Sequence, residues 1–380
     1  MKADVVVIGC GVIGAAIAYQ IALSGQSVIV VEAKDPAREA TGAALGILMG
    51  VASQRTTGDA LELRLKSSSL FEPWITQIES DIHRSLPVNR NGILHILDPG
   101  ELSDWQDTLE HRKAAGYRLD YCVQDQIRTL QPGLRPEIRD AIYSPQDRQL
   151  SPQVLTHALI QAARQRGVQF FFHQPITQVK TIPGRVNALY TSDYTISPGL
   201  VIVSAGLGSS PLSELLGLRI PLQAVKGQAL RVYTSAISLG PVVTEKDFYL
   251  VPLPDGSIGI GATVEFQAHN SQPTLQGIQS LLTQAIHLCP ALAQAEILST
   301  WSGSRPRPTS QRAPILGCVP SYSNLMVATG HYRNGVLLAP ITAQIMADLV
   351  VSGQTSLCDL EKFSPRDLEN LSPQGLVCLD

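Results

Sequence analysis

Charge is scarce in this sequence and is concentrated nowhere. Asp, Glu, Lys and Arg make up 16% of the 380 residues, and the formal net charge is −3. Such a balance leaves no electrostatic footprint for nucleic acid, and no Lys/Arg cluster points to an anionic membrane. No segment approaches the ~18 uninterrupted apolar residues of a transmembrane helix. Lys2 and the apolar residues 5–8 briefly imitate a signal peptide, but Gly9, Gly11 and Gly14 interrupt the run and no cleavage site follows. A cytoplasmic protein is the expectation.

Cysteine is sparse as well. Cys10, Cys122, Cys289, Cys318, Cys358 and Cys378 lie far apart, without a CxxC and without histidine at metal-ligand spacing. Reduced thiols are expected, with no disulfide framework and no metal site. What is plentiful is apolar residue, 44% of the chain, which suits a globular enzyme with a large core.

The apolar periodicity predicts a parallel βαβ unit at the N-terminus. Residues 4–8 read as a buried strand, 12–23 as a helix stopped by Gly25, and 27–32 as a second buried strand. Further on, residues 59–82 have helical spacing and 89–97 read as a strand. Ser151-Pro152 marks a helix start, N-cap followed by a proline at the first helical position. That helix ends at Gly167, and residues 168–172 and 200–204 return as strands. Between 222 and 264 the period falls to about two, with residues 248–252 and 257–263 predicted as a hairpin across Pro254-Asp255-Gly256. Residues 325–328 form a last strand, and a turn over 329–335 leads into a helix through 341–351.

Parallel and antiparallel pieces thus alternate along the chain. The expected fold is α/β (α+β overall), a Rossmann-like dinucleotide-binding domain with a second, mainly antiparallel-sheet substrate domain. The first is assigned to residues 1–84, 142–215 and 317–380, and the second to 85–141 and 216–316.

The glycine loop Gly9-Cys10-Gly11-Val12-Ile13-Gly14 is a weak signal alone. Here it follows a strand, opens a helix and precedes Glu32 at the end of the next strand. Gly9 permits the tight turn, Gly11 the approach of a pyrophosphate, and Gly14 close packing of helix on sheet. The helix N-terminus offers free N–H groups to the phosphates, and Glu32 can accept from a ribose hydroxyl. The loop does not separate FAD from NAD. Its place at the N-terminus, and a second glycine-containing strand–turn–helix near the C-terminus, favour FAD.

That second turn, Gly330-His331-Tyr332-Arg333-Asn334-Gly335, projects Arg333 beside a helix N-terminus able to stabilise negative charge. Upstream, Trp301-Ser302-Gly303-Ser304-Arg305-Pro306-Arg307-Pro308 holds an arginine between glycine and prolines, suited to a bidentate grip on a carboxylate. Arg307 and Arg312 stand close by and read as solvated. Tyr249, in an alternating strand, reads equally as core or as site.

Together these segments resemble the D-amino-acid oxidase family of flavoproteins, within it the glycine oxidase branch, over nearly the whole chain. The resemblance rests on the N-terminal loop with Glu32, on the small-residue stretch 40–48, and on 248–252 with 259–263. It rests also on Ser304-Arg305-Pro306 and, most specifically, on the string that begins at Gly330. It implies oxidative deamination of glycine and related small amines such as sarcosine and small D-amino acids, using O2 and releasing H2O2. Arg305, Tyr249 and Arg333 would serve the substrate. FAD would be held non-covalently by the glycine loop, Glu32, Ala33, Ala40, Thr41, Leu45, Gly46, Ile47, Ile176, Gly206, and the run His331, Tyr332, Arg333, Asn334, Gly335, Val336 and Leu337. A homo-oligomer and a thiazole synthase as recipient of the imine are further implications. The alternative within the flavin class is a D-amino-acid dehydrogenase or secondary-amine oxidase using another electron acceptor.

Two departures from the family pattern stand out. Ser53 or Gln54 replaces an expected acidic residue, and Val264 an expected methionine. The sarcosine oxidase branch tethers its flavin through a cysteine near 303–305, and this sequence has none there.

Overall fold

The computed structural model describes residues 1–266, 271–311, 314–365 and 368–370. Arg312, Cys378 and the last ten residues of the segment 317–380 lie outside the described residues.

The first sheet grows outward from the strand Lys2–Ile8, whose residues Val5, Val6 and Val7 are all buried. On one side it pairs in parallel with Val28–Val31, Val6 beside Ile29, and that strand pairs with Gln169–Phe171. On the other side it pairs in parallel with Thr195–Val203, which in turn pairs with Leu325–Thr329. A strand covered on both faces has no polar side to alternate with, which is why these segments read as continuous apolar runs. Each fully buried Val or Ile contributes about 1.5–3 kcal/mol relative to exposure.

Helices Val12–Ala22, Asp59–Ile82, Pro152–Gln165 and Gly335–Ser352 pack over one face of this sheet in a single apolar cluster. Gly335–Ser352 is long and apolar enough to cross a membrane by composition, but 67% of it is buried against these neighbours. Ser151 caps its helix as the sequence predicts, its hydroxyl accepting from the Val154 N–H at 3.4 Å.

The second sheet runs Glu296–Pro308, Leu222–Tyr233, Ile258–Gly261, Phe248–Pro252, Val242–Glu245, Ile93–Ile96, Asp140–Ser144, Asp120–Val123. It is antiparallel apart from one parallel pair, Val242–Glu245 on Ile93–Ile96. The predicted hairpin is present, with Tyr249 opposite Gly261. Helix Leu275–Leu288 covers one face through Leu281, Ala285 and Leu288. The α/β class with a second antiparallel sheet is therefore the observed fold. We propose the two sheets as the cores of two domains; the limits at 142 and 317 fall inside the strands Asp140–Ser144 and Ile315–Cys318.

Among the elements that escaped the sequence reading are helices Leu102–Ala114 and Leu275–Leu288, the hairpin Gln178–Ile182 with Arg185–Tyr190, and the strand Glu296–Pro308. The segment around Arg305 belongs to one long strand, paired with Leu222–Tyr233 over nearly its full length. Its prolines stand at the sheet edge, where a missing N–H costs no ladder bond.

Candidate active site

The glycine loop is tight because three backbones converge on it. Gly9 has φ +104°, and a Cβ there would lie 2.7 Å from the Ser204 carbonyl oxygen. A Cβ on Gly14 would lie 2.0 Å from the Gly9 carbonyl oxygen. The helix N-terminus at Gly11 has no side-chain cap of its own, and Thr41 Oγ1 accepts from the Val12 N–H at 3.1 Å. Glu32 is fixed at the strand end, accepting from the Cys10 N–H at 2.6 Å and from the Lys34 N–H at 2.9 Å.

These residues line a cavity of about 800 Å3, walled by Gly9, Gly11, Val12, Ile13, Glu32, Ala33, Ala40, Thr41, Ile176, Gly206, and by His331 to Arg333 with Gly335 and Val336. A second cavity of about 810 Å3 adjoins it, sharing Ala40, Ala44, Ser304 and the turn Gly330–Arg333. Leu45, Gly46, Ile47, Asn334, Tyr249 and Arg305 line this second space. Gly14 and Leu337 reach neither wall: Gly14 lies beneath its own loop, and Leu337 is in the core, its carbonyl accepting from Ser67 Oγ at 2.6 Å.

The adjoining cavities fit a dinucleotide whose pyrophosphate would meet the helix N-terminus at Gly11 and whose far end would meet a second one, at Gly335. The fit test lies in the cradle itself: a Cβ at Gly9 or Gly14 would overlap backbone, so the loop keeps its glycines for close approach.

In the second cavity the chemistry gathers. Arg305 donates to the carbonyls of Thr263 (3.1 Å) and Lys226 (3.3 Å), which hold its guanidinium in place. Gly227 makes the room: a Cβ there would sit 2.3 Å from the guanidinium. Burial, then the charge of Arg333, pushes the Arg305 pKa down. Arg333 donates to Tyr249 Oη at 3.0 Å and pairs with Asp247 at 2.8 Å. Burial opposes the charge on Arg333, but Tyr249 and Asp247 outweigh it and its pKa rises. Tyr249 is buried, and burial raises the pKa of its phenol.

The turn that carries Arg333 is fastened to the strand that carries Arg305. Gly330 and Tyr332 have φ +74° and +52°, and the Tyr332 N–H donates to the Pro306 carbonyl at 3.0 Å. Trp301 Nε1 donates to the Ala43 carbonyl at 3.0 Å, tying the same strand to the stretch around Ala40. His331 offers backbone to the cavity while its imidazole points inward, with Nε2 3.0 Å from Thr342 Oγ1.

Burial pushes the His331 imidazole pKa from 6.5 to about 3. A depressed folded-state pKa means that acid protonates the unfolded chain first. Its contribution to stability is complete above pH 6.5 and is lost as the pH falls toward about 3. The melting temperature should therefore drop across that window, and His331→Gln should flatten the drop; equal slopes in both proteins would refute the assignment.

Several participants were not read from the sequence. Asp247 carries no motif, since a lone acidic residue between strands looks like turn polarity. The loop from Gly50 to Arg55, which contributes Ala52, Ser53, Gln54 and Arg55 to the second cavity, is held from both sides. Buried Asp147 accepts from the N–H groups of Gly50, Val51 and Ala52 at 2.7–2.9 Å. Buried Arg112 donates to the carbonyls of Val51, Ser53 and Arg55 at 2.7–3.0 Å. Both side chains spend their charge on backbone, a pattern no sequence spacing announces. Arg307 corrects an expectation: it is half-buried, donates to Gln223 Oε1 at 3.1 Å and lies over the Phe266 ring at 5.3 Å, so it is not a freely solvated side chain. Val264 stands outside the cavity wall.

Comparison with known proteins agrees with this geometry. The model of the FAD dependent oxidoreductase family matches residues 4–349. The bifunctional protein ThiO/ThiG of Synechocystis is 34% identical over 99% of this chain, which spans 56% of that relative's length. The crystal structure of glycine oxidase from Geobacillus kaustophilus superposes with a TM-score of 0.88 at 28% identity, covering 96% of this chain and 98% of that one. Iminodiacetate oxidase from Chelativorans superposes with a TM-score of 0.87 at 25% identity, covering 95% of this chain and 98% of the other.

Proposed function

Since the chain belongs to the family of FAD-dependent oxidoreductases and is an enzyme that uses FAD, we propose that it oxidises small α-carboxylated amines, glycine, sarcosine and small D-amino acids among them, to the imine. The observation that carries this reading is the fixed guanidinium of Arg305, with Tyr249 and Arg333 on the wall of the same cavity.

Arg305 binds the substrate carboxylate; its own hydrogen bonds to two carbonyls pre-set its orientation, so little side-chain entropy is lost on binding. Tyr249 Oη, held by Arg333, positions the substrate from the adjacent strand. Two guanidinium groups beside the amine disfavour its ammonium form, and the neutral amine is the one that can be oxidised. The glycine loop, Glu32, Ala33, Thr41 and the turn from His331 to Val336 hold the cofactor, with the helix N-terminus at Gly335 stabilising negative charge. Bound FAD supplies a two-electron acceptor, which O2 regenerates with release of H2O2. Among the described residues no cysteine lines either cavity, which supports non-covalent binding.

The name of the bifunctional Synechocystis relative supports a further element, that the imine passes to a thiazole synthase in thiamine biosynthesis. The test is a panel of amino acids and amines on the purified yellow protein. Stoichiometric H2O2 with O2 uptake on a small amino acid is the expected result. Dye-dependent turnover without O2 uptake would instead indicate a dehydrogenase, and FAD binding without any amine oxidation would refute the reading.

A further inference from the structure

The second cavity carries more positive charge than its proposed work requires. Six cationic side chains stand on its wall: Arg55, Arg64, Lys246, Arg305, Arg307 and Arg333. Two are paired with carboxylates, Lys246 with Asp98 and Arg333 with Asp247, and Arg307 is turned to the Gln223 amide and the Phe266 ring. Arg305 awaits the substrate carboxylate. Arg55 and Arg64 remain, and among the described residues neither forms an ion pair.

Arg64 sits one turn into the helix Asp59–Ile82, half-buried, its Nε donating to the Ala60 carbonyl at 3.1 Å. Arg55 closes the braced loop beside it, and buried Arg112 adds a third guanidinium behind them. Burial, then the charges of Arg55 and Arg112, depresses the Arg64 pKa to about 10, so it stays charged at neutral pH. The neighbouring carboxylate, Asp147, favours the charge on Arg64 from the buried side, but its oxygens accept from three backbone N–H groups and it forms no ion pair with Arg64. Glu101 on the same wall accepts from the Asp98 N–H at 2.8 Å. Arg55 is exposed at the mouth of the cavity, whereas Arg64 is half-buried on its wall and forms no ion pair among the described residues, so an acidic group on a ligand would find an unengaged guanidinium there. The FAD pyrophosphate does not fill that role, because Arg55 and Arg64 line only the cavity of Tyr249 and Arg305, not that of the glycine loop.

We infer that the substrate of this cavity carries a second acidic group, an amino or imino dicarboxylate, whose first carboxylate meets Arg305 and whose second meets Arg64 and Arg55. The inference rests on the amine-oxidase reading, and it narrows the substrate class.

The experiment has two arms. Steady-state oxidation by the FAD-loaded enzyme is measured with glycine, iminodiacetate, D-aspartate and D-glutamate. At least one dicarboxylate should exceed glycine in kcat/KM by about tenfold. Arg64→Gln should lower that preference at least tenfold, chiefly through KM, and Arg64→Lys should restore part of it. In the second arm, the melting temperature of the same proteins is followed with succinate, acetate or phosphate. Succinate should stabilise the protein more than acetate or phosphate does, and Arg64→Gln or the loop variant Arg55→Gln should remove the difference. Glycine preferred by the unmodified enzyme, or succinate stabilisation that is matched by phosphate or is indifferent to both variants, would overturn the inference. If no amine is oxidised while succinate still stabilises through Arg64, the oxidase reading falls and the second acid site stands.

Discussion

Replacing Arg305 with alanine should raise KM for a carboxylated amine steeply while leaving the flavin bound. The guanidinium is half-buried and is pre-set by the Thr263 and Lys226 carbonyls, so a carboxylate gripped there would give up much of its water and rely on it. Removing one partner of such a pair costs about 3–5 kcal/mol, or roughly 150- to 5,000-fold in kcat/KM. Arg305→Lys should recover only part of the loss, because a point charge does not reproduce a bidentate fork. The measurement is steady-state kinetics on protein with an unchanged flavin spectrum. Wild-type kcat/KM in the alanine variant would remove Arg305 from the site.

The other large effect belongs to Gly14. Its missing Cβ would lie 2.0 Å from the Gly9 carbonyl oxygen and 2.7 Å from Ser204 Oγ, so Gly14→Ala must push the helix off the sheet or reshape the loop. Overpacking of this kind costs about 1–3 kcal/mol, and the displaced N-terminus would no longer present its N–H groups to the phosphates. The variant should purify colourless with a lower melting temperature. Gly11→Ala is the comparison: its Cβ would meet only the tip of the Thr41 side chain at 3.0 Å. That variant should lose FAD affinity with a smaller change in melting temperature. A yellow Gly14→Ala protein that melts like the parent would contradict the account.

The dinucleotide end was legible in the sequence because its chemistry is local. Gly9, Gly11 and Gly14 lie within one turn of chain, and the strand–loop–helix context that gives them meaning is contiguous. The substrate end was legible only in fragments. Arg305 could be picked out by its glycine and proline neighbours, but the strand that carries it was given no secondary structure. Its register against Leu222–Tyr233 is a long-range fact: Arg305 lies opposite Val225, and the space it needs comes from Gly227 two residues on. Asp247, Arg64, Arg112 and Asp147 were invisible for the same reason. Asp247, Arg112 and Asp147 act through partners far away in the chain, Arg64 through the cavity it lines, and a single charged residue carries no periodicity. Helix Leu102–Ala114 was missed because it buries little beyond Trp105, Thr108 and Arg112, too few apolar positions to set a period.

The order in which the first sheet is threaded has a consequence for how the protein is made. Lys2–Ile8 is made long before its parallel partner Thr195–Val203, which follows nearly two hundred residues later, and that strand's own neighbour is Leu325–Thr329. The turn that completes the cofactor wall comes after all of these. During synthesis the glycine loop is therefore a half-built receptor, with an unpaired strand edge and no far wall. Closing such distant pairs is entropically slow. Capture of FAD is thus a late event, coupled to the docking of the last strand and helix, and the growing chain must keep its apolar N-terminal strand from pairing wrongly until then.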